Sequence, residues 1–145
     1  MDEAVLSQKY DLVKVNIISS TQISKITTTV IAKLSKPSQD DKQVILALTA
    51  KARTANKLIS IVEIAKRELA SSSGPIFQYN AVSCEMVEIP RKSGKRGAKE
   101  GDEESDDAFE TMGAESLSGT KQRSVPVMTT YVATVSVKEL KAAYG

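Results

Sequence analysis

Three groups of basic and hydroxyl side chains are the residues in this sequence best suited to chemistry, and the chemistry they suit is phosphate binding. The first is Lys51 and Arg53, with Asn56 and Lys57 behind them, where an apolar run VILALTA gives way to a helical pattern. At a helix start the free N–H groups and the positive end of the dipole already face outward, so two cations there make a phosphate-binding corner. The same residues also suit flanking charge that keeps a strand end soluble. The second group is Arg91, Lys92, Lys95, Arg96 and Lys99, answered by Lys121 and Arg123. Dense charge on a Gly- and Ser-rich backbone suits an arm that tracks a phosphate backbone or enters a groove; a solubilising loop or a localisation patch has the same look. The third is Ser19, Ser20, Thr21, Gln22 and Lys25. Hydroxyls and amides contact phosphate and ribose readily, and they also cap helices.

Composition closes His- and Cys/His-based chemistries and leaves a Lys- or carboxylate-based site open. The chain has no histidine, which removes His-based acid–base catalysis and His metal ligation. Cys84 is the single cysteine, so an intrachain disulfide and a Cys/His zinc site are both excluded, and a reducing compartment, nucleus or cytoplasm, is the default. The Ser clusters lack a His base, and no phosphate loop is present. The expectation is a protein that is not an enzyme, with no cofactor, no metal and no small-molecule substrate. The first residues, MDEAVLSQKYDL, have no apolar segment of the secretory kind. No run approaches the ~20 apolar residues of a membrane span, so no membrane partner is expected.

The formal net charge of +2 hides a segregation. Glu100 to Glu115 holds eight acids and no Lys or Arg; removing those eight from the chain's 18 leaves 10 acids against 20 basic residues. A strongly basic body is the electrostatic footprint of a nucleic-acid binder, or less often of an acidic-membrane binder, and a well-solvated lysine-rich surface has the same look. Aromatics make up only 4% of the chain, few for a protein that reads single strands by stacking.

The elements that must position these groups follow from periodicity. LVKVNII (12–18) reads as a strand. A helix follows in which Ile23, Ile26, Val30 and Leu34 form one stripe, closed by Pro37. VILALTA (44–50) is a continuous apolar run, as in a covered central strand. Thr54 is placed to cap a second helix with Ala55, Leu58, Ile59, Val62, Ala65 and Leu69 buried and Lys57, Glu63, Lys66 and Arg67 in water. Residues 76–89 and 125–137 alternate as two long strands, with Pro126 confined to a strand start or an edge. Between them, residues 91–123 lack an apolar period and read as a disordered, charged hairpin insertion. The expected fold is α/β, a two-layer α+β sandwich of β-α-β-α-β-β order with both helices on one face of a four-stranded sheet. Residues 1–10 form a tail and residues 11–145 the domain.

The stretch ALTAKARTANKLISIVEIAKREL (47–69) resembles the signature of the Alba family, in which a strand runs into a K-A-R-G-x-A-I-x-K-A-like turn and a helix containing V-x-I/V-E-I. Lys51, Ala52, Arg53, Lys57, Val62, Glu63 and Ile64 match it as they stand. VNIISSTQISKITTTVIAKL (15–34) is similar to the family's first strand and helix. The resemblance implies a small, usually dimeric protein that binds RNA or DNA, in a family that includes archaeal chromatin proteins and the small subunits of eukaryotic RNase P and RNase MRP. It implies that Lys51, Arg53, the hairpin and the first turn contact nucleic acid. The chain departs from the archaeal pattern in two places: the first turn offers only Lys25 where that pattern has a glycine and a lysine pair, and Thr54 stands where a glycine follows the arginine. Both departures suit a eukaryotic, RNA-directed member. The expected site is therefore Lys25, Ser20, Lys51, Arg53, Asn56, Lys57, Arg91, Lys92, Lys95, Arg96, Lys121 and Arg123. The expected partners are RNA or DNA and a second copy or a related chain. The alternative is a dimerising protein-interaction scaffold that does not itself touch nucleic acid.

Overall fold

The computed structural model describes residues 3–35, 42–71, 74–90 and 120–145. In chain order the elements are α1 (Glu3–Lys9), β1 (Asp11–Ile17), α2 (Ile23–Ser35), β2 (Val44–Lys51), a 3-10 turn (Ala52–Thr54), α3 (Ala55–Ala70), β3 (Phe77–Pro90), β4 (Thr120–Ala133) and α4 (Lys138–Tyr144). The chain forms two compact units. Residues 1–85 with 125–145 make the first, and residues 86–124 the second. The described part of the second unit is the end of β3 and the beginning of β4. Pro37 and the acidic run Glu100–Glu115 lie outside the described residues.

Four strands form one sheet in the order β1-β2-β4-β3. β1 and β2 run parallel, with Asp11 opposite Val44 and Ile17 opposite Ala50. β2 and β4 run antiparallel, from Ile45 opposite Ala133 to Lys51 opposite Val127. Pro126 thus sits one residue outside the ladder with β2, which is how a residue without an N–H is accommodated in a strand between two others.

Strand alternation sorts side chains onto two faces. One face carries Ile17, Leu46, Leu48, Ala50 and Val132, and against it pack Val30 and Leu34 of α2 and Leu58, Ile61, Val62, Ala65 and Leu69 of α3. The expectation of both helices on one face holds. Within α3 Leu58, Val62, Ala65 and Leu69 are buried as expected and Ala55 is half-buried, but Ile61 is buried in place of Ile59, which is 46% exposed. The threonines of α2 are weak helix formers because they compete for backbone bonds. Here Thr27, Thr28 and Thr29 donate to the carbonyls of Ile23, Ser24 and Lys25 at 2.9, 3.0 and 2.9 Å, so each hydroxyl is satisfied without leaving the helix.

Two short helices that periodicity did not anticipate cover the other face. Leu6 of α1 and Leu140 of α4 are fully buried there with Ile45, Ala47, Ala133 and Val137. The chain's four tyrosines, Tyr10, Tyr79, Tyr131 and Tyr144, gather in the same cluster. The Tyr131 and Tyr144 rings stack with centroids 6.0 Å apart, and the Tyr79 hydroxyl accepts from the Val137 N–H at 3.2 Å. Val137, expected at the end of a strand, instead leads into α4, since β4 stops at Ala133.

The two terminal helices are joined by Lys9, which donates to Glu139 at 2.7 Å, and by the Tyr10 hydroxyl, which donates to the same carboxylate at 3.3 Å. The Lys9 hydrogen bond holds the Glu139 carboxyl below its usual range, and Glu139 holds the Lys9 ammonium above its own. A lowered carboxyl pKa contributes stability that is present above the unfolded carboxylate range and lost as pH falls through the folded one. We expect the thermal-stability advantage of the native chain over Glu139→Gln to be full at neutral pH and to vanish as pH falls below about 4. Melting curves across that range check it; an advantage independent of pH would contradict the pairing.

Candidate nucleic-acid interface

β1 and β2 are parallel and each runs into a helix, so both strand-to-helix turns, and both helix N-termini, fall at one end of the sheet. Ends of this kind are where α/β sheets place ligands.

The second turn is built around Thr54. Lys51 is extended (φ −73°, ψ 159°), and a 3-10 turn then leads into α3. Thr54 does not cap α3 with its side chain. Its hydroxyl lies 3.0 Å from the Ile17 carbonyl and 3.1 Å from the Lys51 carbonyl. One buried hydroxyl thus ties the last residue of β1 to the last residue of β2. A glycine could not make this tie.

The first turn closes on itself. The Thr21 N–H donates to the Ile18 carbonyl at 3.0 Å, and the Thr21 Oγ1 accepts from the Ile18 N–H at 3.0 Å. Lys57 of α3 then moors it: its Nζ donates to the Ser19 carbonyl and, at 3.3 Å, to the Thr21 carbonyl. Lys57, expected to stand in water, is half-buried and occupied by these carbonyls.

The two moored turns carry Ser20 and Lys25 from one side and Lys51, Arg53 and Asn56 from the other, all exposed. Among the described residues, Lys25 and Arg53 make no ion pair, whereas Lys51 pairs with Glu85 of β3 at 3.1 Å. The register adds a polar row on the sheet face opposite the long helices: Asn16, Thr49 and Thr129 lie side by side on β1, β2 and β4. The Thr49 and Thr129 hydroxyls are 3.4 Å apart. Glu63, part of the resemblance to the Alba signature, pairs with Lys66 at 2.7 Å on the flank of α3, and Lys66 also reaches Gln78 at 2.9 Å. The Lys66 bond holds the Glu63 carboxyl below its usual range.

Arg91, Lys92, Lys95 and Arg96 lie outside the described residues, and Lys121 and Arg123 belong to the second unit, where Arg123 is exposed. Sequence reasoning did not single out Glu85, Thr49 or Thr129, gave Thr54 a helix cap that it does not make, and left Lys57 in water where it meets carbonyls. The signal for Glu85 was weak, one of two acids, with Glu88, on an alternating strand. Among the described residues no group of three or more His, Cys, Asp or Glu side chains is placed to hold a metal, and no helix is long and apolar enough to cross a membrane.

The class these features define is an α+β protein with a mixed four-stranded sheet, two long helices on one face and an exposed cationic corner at the parallel strand ends. No family model matches the chain, and no curated protein matches it. Among solved structures it is similar to Alba from Thermoplasma volcanium, at 9% identity and a TM-score of 0.43, over 85% of this chain and 99% of that one.

Because the Thr54 hydroxyl serves two backbone carbonyls from a buried position, Thr54→Val should destabilise the fold by about 1–2 kcal/mol, the cost of leaving buried acceptors short of a donor. Denaturant unfolding measures this. A loss within about 0.3 kcal/mol would show that the tie is dispensable.

Proposed function

We propose that this chain is a non-catalytic RNA- and DNA-binding protein of the Alba type, acting as an RNA-associated subunit or a chromatin or ribonucleoprotein component in the nucleus or cytoplasm. The observation that carries the reading is the mooring of the two strand-to-helix turns, which sets Lys25, Arg53 and Lys51 on one end of the sheet beside two helix N-termini. Guanidinium and ammonium groups beside free helix N–H groups are the chemistry that receives phosphate. The resemblance of residues 47–69 to the Alba signature supports the same reading, as does the excess of basic over acidic side chains outside the run Glu100–Glu115. Ser20 and Asn56 supply uncharged donors for sugar and phosphate oxygens. Lys57 acts by positioning the first turn. The charged segment, with Arg91, Lys92, Lys95, Arg96, Lys121 and Arg123, adds a second, sequence-independent contact to the phosphate backbone.

The test is direct. Lys51→Ala with Arg53→Ala should weaken binding to RNA and DNA at least several-fold at ~150 mM salt and flatten the log–log salt dependence by up to about 0.7–0.9 per lost phosphate contact. Both side chains are exposed, so stability should change by less than about 0.5 kcal/mol each. Wild-type affinity in the double variant would remove the corner from the interface.

The reading includes assembly with a second copy or a related chain. Val82 is 77% exposed on the edge strand β3, and Ile59, misplaced in the expected core stripe, is 46% exposed on α3. The resemblance to a family of usually dimeric proteins supports the contact, and these uncovered side chains are available to it. Sedimentation should give a dimer at tens of micromolar; a stable monomer, with no related chain recovered in pull-downs, would contradict it. The scaffold alternative shares this surface and differs in one respect: it predicts no salt-sensitive binding to RNA or DNA.

A further inference from the structure

Resting on the nucleic-acid-binding reading, we infer that Glu85 is a built-in competitor for phosphate at Lys51, and that it sets how weakly the protein holds arbitrary polyanions. The geometry is specific. β4 lies between β2 and β3 in the sheet, and Lys51 of β2 has Val127 of β4 as its register partner. The Lys51 ammonium and the Glu85 carboxylate therefore meet across an entire intervening strand, at 3.1 Å. Both side chains are more than half exposed, 55% and 56%, so the pair stands at the surface where a ligand arrives. Val127, on the strand between them, is only 8% exposed.

A carboxylate and a phosphate oxygen make the same demand on an ammonium group, and Lys51 answers Glu85 in the unliganded protein. An incoming phosphate must displace that carboxylate, and afterwards the freed Glu85 stands beside the phosphate as a like charge. Both effects oppose binding at Lys51 and leave Lys25 and Arg53, which make no ion pair among the described residues, untouched. An exposed ion pair is weak enough for a phosphate to break. A ligand whose shape also engages the rest of the corner overcomes the competition; one that relies on charge alone gains less. Glu85 is thus a selectivity device within a cationic surface rather than a stabilising strut.

The experiment is a double-mutant cycle on the full chain, using Glu85→Gln, Lys51→Ala and the two combined. Affinity is read by fluorescence anisotropy with a labelled single-stranded RNA of mixed sequence and with a DNA duplex of the same length. Glu85→Gln should tighten both by about two- to five-fold near 50 mM salt, the range an exposed pair allows, and the gain should shrink as salt rises. In the Lys51→Ala background the same substitution should give no gain. Melting temperatures confirm that each variant folds. An equal gain in both backgrounds would reduce Glu85 to a long-range charge and overturn the inference. No gain in either background would overturn it too, while leaving the binding reading intact. If the wild-type chain and Glu85→Gln both fail to bind either probe, the nucleic-acid reading falls, and this inference with it.

Discussion

The Thr54 hydroxyl is the interaction on which the arrangement at this end of the molecule depends. It reaches the carbonyls of Ile17 and Lys51, the closing residues of two adjacent parallel strands. Parallel strands are joined through a crossover rather than a short turn, and the ladder between these two ends with Ile17 opposite Ala50. A buried hydroxyl shared between the Ile17 and Lys51 carbonyls carries the tie past that point into the turn. Lys57 repeats the device one turn later, bonding the Ser19 and Thr21 carbonyls from α3. Together they convert two separate loops into one ledge. Loops positioned by a rigid scaffold are where binding residues concentrate, and here the scaffold reaches into the loops themselves.

The sheet divides its faces between stability and exposure. One face carries the main core under α2 and α3. The other is sealed at one end by α1 and α4, with Leu6, Leu140 and the tyrosines inside, and continues beyond them through the polar row of Asn16, Thr49 and Thr129 toward Lys51. A face that is apolar under the terminal helices and polar beyond them needs no further covering element to be compatible with water. The tyrosines are engaged with one another and with α4, and Tyr79 and Tyr131 are buried. Charge and hydrogen bonding at the corner, more than ring stacking, are therefore the terms available for recognition.

Much of this was legible in the sequence because periodicity reports burial. The stripe Ile23, Ile26, Val30, Leu34 and the run VILALTA placed α2 and β2 correctly, and Lys51 and Arg53 fell at the turn where they were expected. What was not legible depended on contacts distant in the chain. Thr54 looked like a helix cap because a hydroxyl before a helix usually is one; its true partner, Ile17, lies far back along the sequence. Lys57 looked solvated because nothing local announces the carbonyls it meets. On α3 the expected stripe held at Leu58, Val62, Ala65 and Leu69 and failed at Ile59, since Ile59 and Ile61 are equally apolar and only the sheet decides which faces it. The short terminal helices carry a faint signal, Leu6 with Tyr10 and Leu140 with Tyr144 at four-residue spacing, too brief to be distinctive without the face they cover.

We propose that the two moored turns act together as a surface for nucleic acid. Titrating the isotopically labelled chain with a mixed-sequence single-stranded RNA, and following backbone amide shifts by NMR, tests it most directly. The largest changes should fall on Ile18–Lys25 and on Lys51–Lys57 at the same RNA concentration, and the terminal helices Glu3–Lys9 and Lys138–Tyr144 should stay unperturbed. Changes centred on the terminal helices, or changes in one turn without the other, would contradict it.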